Sequence, residues 1–251
     1  MATHYKTQGF VFKKEDWREA DRVFSVFTLD FGKIEVLARA VRKITSKLRG
    51  GIDIFSLSDI EFIQGKHQKT LIDAVVIEKF SHIFQSSEEM EIANRVSGLL
   101  EMFIRGPQTD GRIWDLLADF FKKLDRQELS ASRQQLLYHY FAWNFISLLG
   151  HGPQLFTCAA CTKPLQLPEL YFSNKEGGVI CGACALLEAG VKKVHPDSIK
   201  TLRIMLKKDW DILAKLKLAA EYQKELDGIL QQYCRYLLSD YSFNRPNHEY
   251  F

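Results

Sequence analysis

No apolar run in this chain approaches the ~20 residues that a membrane-spanning helix requires. The longest, from Phe141 to Gly150, is broken by Asn144 and Ser147 and reads as a buried helix. The opening residues, Met1 to Thr7, lack the apolar stretch of a secretory leader. A soluble protein that stays inside the cell is therefore expected. Cysteine is scarce, and four of the five cysteines fall into two tight pairs. In an intracellular chain that spacing favours a metal over disulfides. Signatures of catalysis are missing as well. There is no phosphate-binding P-loop, no G-x-G-x-x-G, no H-E-x-x-H and no G-x-S-x-G. The H-x-E that a zinc deaminase needs ahead of its cysteines is also absent. The pair Glu88-Glu89 falls in the first turn of a helix, where the macrodipole accounts for it. The chain is expected not to be an enzyme.

Acids are missing from one stretch in particular. Ala38 to Ile52 carries Arg39, Arg42, Lys43, Lys47 and Arg49 and no Asp or Glu. The net charge of +3 is too small to argue from, but such a local run repels itself unless solvent or a polyanion neutralises it.

The first third has the period of β-structure. Tyr5–Lys13 is rich in β-branched and aromatic residues, and Arg22–Leu29 places Phe24, Val26 and Thr28 on one face and Val23, Ser25, Phe27 and Leu29 on the other. Asp30-Phe31-Gly32 supplies a turn, Lys33–Arg39 alternates through Ile34, Val36 and Ala38, and Phe55–Ile63 and Leu71–Ile77 follow the basic stretch. Five short strands suit a small closed barrel, and an SH3-like barrel fits nearly as well by strand count alone. From Ser86 the period becomes helical. Ser86 with Glu89 forms a capping box, Asp110 caps a second helix, and a third spans about 132–149 before Gly150. Helical spacing returns after Pro196 through Ile199, Leu202 and Met205, and again at Leu226, Ile229, Leu230, Tyr233 and Leu237. The expected class is α+β: a five-stranded N-terminal barrel, then an all-α domain with an inserted four-cysteine zinc module. The expected domains are 1–80, then 81–157 with 185–251, with the insertion at 158–184.

Cys158, Cys161, Cys181 and Cys184 read C-x2-C-x19-C-x2-C. A lone C-x2-C leaves redox chemistry or free thiols open, whereas two at this spacing match a zinc site. Four thiolates saturate a tetrahedral zinc and leave no position for an activated water, so one structural Zn2+ is expected. Gly182 is expected to let amides approach the sulfurs. Between the pairs, Leu170–Ser173 and Val179-Ile180 read as a ribbon turning at Gly177-Gly178. Cys234 lies at helical spacing from Leu230 and Leu237 and reads as a core thiol, and His195 as a surface residue at a helix start.

The five cations run from a strand end into Gly50-Gly51 and read as a mobile loop suited to follow a phosphate backbone. Barrels of this size add aromatic platforms for bases, and Phe10, Phe12, Trp17, Phe24 and Phe31 are the candidates, some of them necessarily core. The plain alternative is a solvated loop.

Together these residues resemble the RecO family of recombination mediators. Asp21-Arg22-Val23, Phe27-Thr28 and Gly32-Lys33 are similar to its first strands, and Ala38 to Lys43 with Ser46 and Phe55 to its basic segment. Leu148 to Leu155 followed by Cys158, then Phe172-Ser173, Glu176-Gly177-Gly178 and the second cysteine pair, resemble its entry to and exit from the zinc module. The resemblance implies an OB-fold, binding of single- and double-stranded DNA and annealing of complementary strands. It also implies partnership with RecR, contact with the C-terminal tail of single-strand binding protein, and loading of RecA. Three departures stand out. Ala40 and Thr162 occupy positions where the family usually has glycine, and Asp53-Ile54 replaces an expected Gln-Pro. Rival readings are an RNA- or transcription-associated zinc-ribbon binder, a nuclease or other enzyme, and a protein-only scaffold.

Overall fold

The structure is a computed structural model describing residues 3–126 and 129–243; residues 1–2 and 244–251 of the first and last expected domains lie outside the described residues. The chain divides into two compact units, Met1–Ser130 and Ala131–Phe251, so the helices Ser87–Phe103 and Gly111–Leu124 belong with the barrel unit.

In the first unit, β1 (His4–Trp17), β2 (Asp21–Thr28), β3 (Gly32–Ala38), β4 (Ser56–Gln64) and β5 (Lys69–Lys79) close into a barrel of order β1-β2-β3-β5-β4. The long β1 pairs antiparallel with both β2 and β4, and a bulge between Val11 and Lys13 helps it bend from one neighbour to the other. Closure comes from a short parallel pairing of Val36 and Leu37 with Lys69 and Thr70. This Greek-key order is that of an OB-fold and sets aside the SH3-like alternative.

Strand alternation explains the filling. Val11, Phe24, Val26, Ile34, Val36 and Phe62 point into the barrel. The opposite face is also apolar, because two helices cover it. α1 (Ser87–Phe103) starts where the Ser86 hydroxyl accepts from the Glu89 amide, and α2 (Gly111–Leu124) where the Asp110 carboxylate accepts from the Arg112 amide. From α2, Trp114 lies 4.7 Å from Phe10 and Phe121 lies 5.3 Å from Phe80, ring centre to ring centre. Phe27 joins this outer cluster beside Trp114, so both faces of β2 are buried at its end.

In the second unit, α3 (Ala131–Ile146) is buried on nearly every side. Its polar Asn144 is satisfied by donating to the carbonyls of Tyr140 and Met205 at 2.8 and 2.9 Å. The helix stops earlier than its periodicity predicts, giving way to a wide turn over Ser147–His151 in which Gly150 takes φ 90°. β6 (Leu170–Ser173) and β7 (Gly178–Cys181) form the expected ribbon. A two-residue strand, β8 (Lys192–Lys193), adds to the other side of β6, too short and too polar to show in the sequence. α4 (Gly182–Ala185), α5 (Pro196–Leu206), α6 (Trp210–Leu213) and α7 (Ala220–Phe243) complete the unit. His195 caps α5, its Nδ1 accepting from the Asp197 amide, and Cys234 is buried in the core. Among the described residues, no helix is long and apolar enough to cross a membrane.

Candidate metal centre and basic barrel rim

β7 ends on Cys181 and α4 begins one residue later, which brings Cys184 back over the ribbon. The first pair is joined to the same ribbon. The Ala159 amide donates to the Val179 carbonyl at 2.8 Å, and a tight turn returns the Thr162 amide to the Cys158 carbonyl at 2.8 Å. The four sulfurs of Cys158, Cys161, Cys181 and Cys184 consequently lie within 4.8 Å of one another, with Cys161 and Cys181 at 3.9 Å. A tetrahedral metal with bonds of ~2.3 Å holds thiolates about 3.8 Å apart, so the cluster fits such an ion.

The electrostatics agree. Burial opposes ionisation of Cys158, but the amides of Cys161, Cys181 and Ala160 point at its sulfur and bring the thiol down to about 6. Cys184 shares protons with Cys161 and Cys181 and is pushed up to about 12. A cation held among the four sulfurs would displace their protons, since thiolates rather than thiols bind metal. The Cys181 amide donates to the Cys158 sulfur at 3.4 Å. Gly182 is not needed for that approach, since a Cβ there would meet Glu169 at an ordinary 3.5 Å. Cys234 stands apart, its thiol raised to about 12 by burial alone.

The basic segment connects β3 to β4. Arg39, Arg42, Lys43, Lys47 and Arg49 are all exposed. The segment is more regular than the expected mobile loop. Lys43, Ser46, Arg49 and Gly51 amides each donate three residues back, giving a succession of closed turns. Val41 and Ile52 plug its two ends into the barrel core. Gly51 seats it on β5, since a Cβ there would fall 1.8 Å from the Ala74 carbonyl oxygen. Asp53 does not oppose the cations freely. Its carboxylate lies 2.6 Å from the Lys14 ammonium and accepts from the Ile54 amide. Burial resists its ionisation, but Lys14 and that amide prevail and hold its carboxyl below the usual range.

Of the five aromatic candidates, Phe10, Phe12 and Phe24 are fully buried and cannot stack on bases. Phe31 is packed against Tyr5 and Phe62. Trp17, 52% exposed, is the member of the set that faces solvent. A cavity of about 330 Å³ opens on the rim, lined by Arg22, Arg42, Arg49 and Asp53 over Phe24, Val41 and Ile52. Arg22 escapes sequence reading because a single cation at the start of an alternating strand carries no local signal.

Fold and site together define a small-barrel protein whose second, largely helical unit carries a cluster of four cysteines able to hold a metal ion. Two family descriptions match nearly the whole chain: "Recombination protein O N terminal" over residues 1–80 and "Recombination protein O C terminal" over residues 87–245. DNA repair protein RecO of Dehalococcoides mccartyi (strain BAV1) is 30% identical over 234 residues, covering 93% of this chain and 90% of that protein. DNA repair protein RecO of Alkaliphilus metalliredigens is 27% identical over 239 residues, covering 95% and 96%. That of Thermoanaerobacter sp. is 25% identical over 230 residues, covering 92% and 91%. The chain belongs to the RecO family of DNA repair proteins.

Proposed function

We propose that this protein is a non-enzymatic mediator of recombinational repair that binds single- and double-stranded DNA through the rim of its barrel. The observation that carries the reading is the acid-free segment, whose Arg39, Arg42, Lys43, Lys47 and Arg49 stand exposed on ordered turns beside an OB-type barrel. Cations fixed in this way release counterions when they meet phosphates and lose little conformational freedom in doing so. Two complementary strands held on one basic surface pair without nucleotide hydrolysis, which is the annealing activity we assign. Names of relatives and the family resemblance support the wider role: acting with RecR in the bacterial cytosol, engaging the tail of single-strand binding protein, and helping RecA onto coated DNA.

To the four cysteines we assign one structural zinc, since four thiolates complete its coordination and supply no catalytic position. In this reading the functional divisions are 1–80 for DNA, 81–157 with 185–251 for the helical part, and 158–184 for the zinc insertion.

The test is annealing of two complementary oligonucleotides by purified protein, without nucleotide, across a salt series. Acceleration that fades with rising salt is expected. Absence of both acceleration and DNA binding at low salt would leave the family fold serving as a protein scaffold.

A further inference from the structure

Three arginines, Arg22, Arg42 and Arg49, line one cavity at the barrel rim, and the first two pair with a single carboxylate. Asp16 and Arg22 face each other in the β1–β2 register. The Asp16 Oδ1 lies 2.8 Å from Arg22 Nε and 2.7 Å from its terminal nitrogen, and Oδ2 lies 3.5 Å from Arg42. The Arg42 backbone is fixed as well, its amide donating to the Ala20 carbonyl at 3.1 Å. Arg49 reaches the same cavity from the short turn over Lys47–Gly50, with no ion pair among the described residues. Asp53, the carboxylate that lines the cavity itself, is committed to Lys14.

We infer that Arg22, Arg42 and Arg49 form a phosphate site, and that Asp16 occupies part of it as an internal stand-in until nucleic acid arrives. This rests on the DNA-binding reading above. A carboxylate bridging two guanidinium forks uses the same planar donors that a phosphate would use. A backbone phosphate carries two non-bridging oxygens, as a carboxylate does, but it arrives untethered and can settle among all three arginines, whereas Asp16, fixed on β1, reaches only Arg22 and Arg42. The pairs that Asp16 makes are open to solvent on one side, with half of its own side chain exposed, and such pairs exchange readily. The cavity lining is mostly polar, and Phe24, Val41 and Ile52 beneath it are almost completely buried. That favours a charged oxyanion over a stacked base. Arg22 thus joins the DNA-contacting set, and Asp16 sets how strongly the rim binds.

The experiment is fluorescence anisotropy of a labelled single strand with wild-type protein, Asp16→Asn and Arg49→Gln, each over a salt series. Asp16→Asn is expected to bind about three- to five-fold tighter at low salt. Arg49→Gln touches neither strand pairing nor Asp16. It is expected to weaken binding and to flatten the slope of log affinity against log salt by about 0.7, the loss of one phosphate contact on a single strand. Arg49→Gln indistinguishable from wild type in both affinity and slope overturns the site, whatever the folding of the Asp16 variant. Asp16→Asn that is folded yet binds no tighter overturns the stand-in role. Wild-type protein that binds no DNA removes the underlying reading, and this site with it. Strands carrying a 5′-phosphate and a 5′-hydroxyl distinguish the source: equal affinity assigns a backbone phosphate, and preference for the former a strand end.

Discussion

The carboxylate of Asp21 accepts the amide hydrogen of Ala40 at 2.8 Å, and Ala40 is held there at φ 53°. Asp21 starts β2 and Ala40 opens the basic segment, so this bond fixes where the cations leave the barrel. An L-residue with a Cβ is disfavoured in the left-handed region by about 1–2 kcal/mol, partly offset for glycine by its greater freedom when unfolded. Ala40→Gly is therefore expected to stabilise the protein by about 0.5–1 kcal/mol in chemical denaturation. A destabilised variant would mean that Asp21 does not impose this conformation in solution.

Thr162 presents the same conflict in the cysteine module, at φ 62° with a β-branched side chain. Its hydroxyl donates to the Cys161 carbonyl at 2.7 Å, a local compensation within the turn. Thr162→Gly is expected to slow loss of the bound metal to a chelator, because the turn that presents Cys158 and Cys161 is relieved of steric strain. Faster loss would assign the hydroxyl more weight than the backbone.

Both positions are legible in the sequence only through the resemblance, where glycine is expected and another residue stands. The cysteine spacing needed no such help, because C-x2-C pairs constrain their own turns and the ribbon between them alternates cleanly. Barrel order was not legible. Strand count cannot reveal that β3 pairs with β5 rather than β4, a choice made by closure of the whole sheet. Nor could the sequence separate Trp17 from Phe10 and Phe24. Both faces of these strands are covered, one by the barrel interior and one by α2, so alternation no longer marks the solvent side. Arg22 and Asp16 were silent for a related reason: their partnership is a cross-strand register, visible only once β1 and β2 are aligned.

The five cysteines should separate into two classes. Native protein with its metal is expected to resist alkylation at all five, four through coordination and Cys234 through burial that pushes its thiol to about 12. Removing the metal with a chelator should expose four thiols first, with Cys234 reacting only on global unfolding. Replacing any one of Cys158, Cys161, Cys181 or Cys184 by Ala should abolish stoichiometric metal, measured by elemental analysis, whereas Cys234→Ala should retain it. Equal reactivity of all five after chelation would mean that the second unit does not keep its core without the ion.

Tyr233 ties the two ends of that core together. Its hydroxyl donates to the His151 carbonyl at 3.1 Å, beside the turn that ends α3. Its ring stacks on Trp143 at 5.8 Å and meets Phe172 of the ribbon edge-on at 5.7 Å. Burial holds the phenol protonated, raised to about 12, so it remains a donor throughout the neutral range. Tyr233→Phe keeps the packing and loses the bond, leaving a carbonyl short of a partner, and is expected to cost about 1 kcal/mol. Tyr233→Ala removes the ring from three elements at once and is expected to cost about 3–5 kcal/mol. Equal costs for the two variants, read by urea denaturation, would make the hydrogen bond dominant. The expected gap makes ring packing the main link between α3, the ribbon and α7.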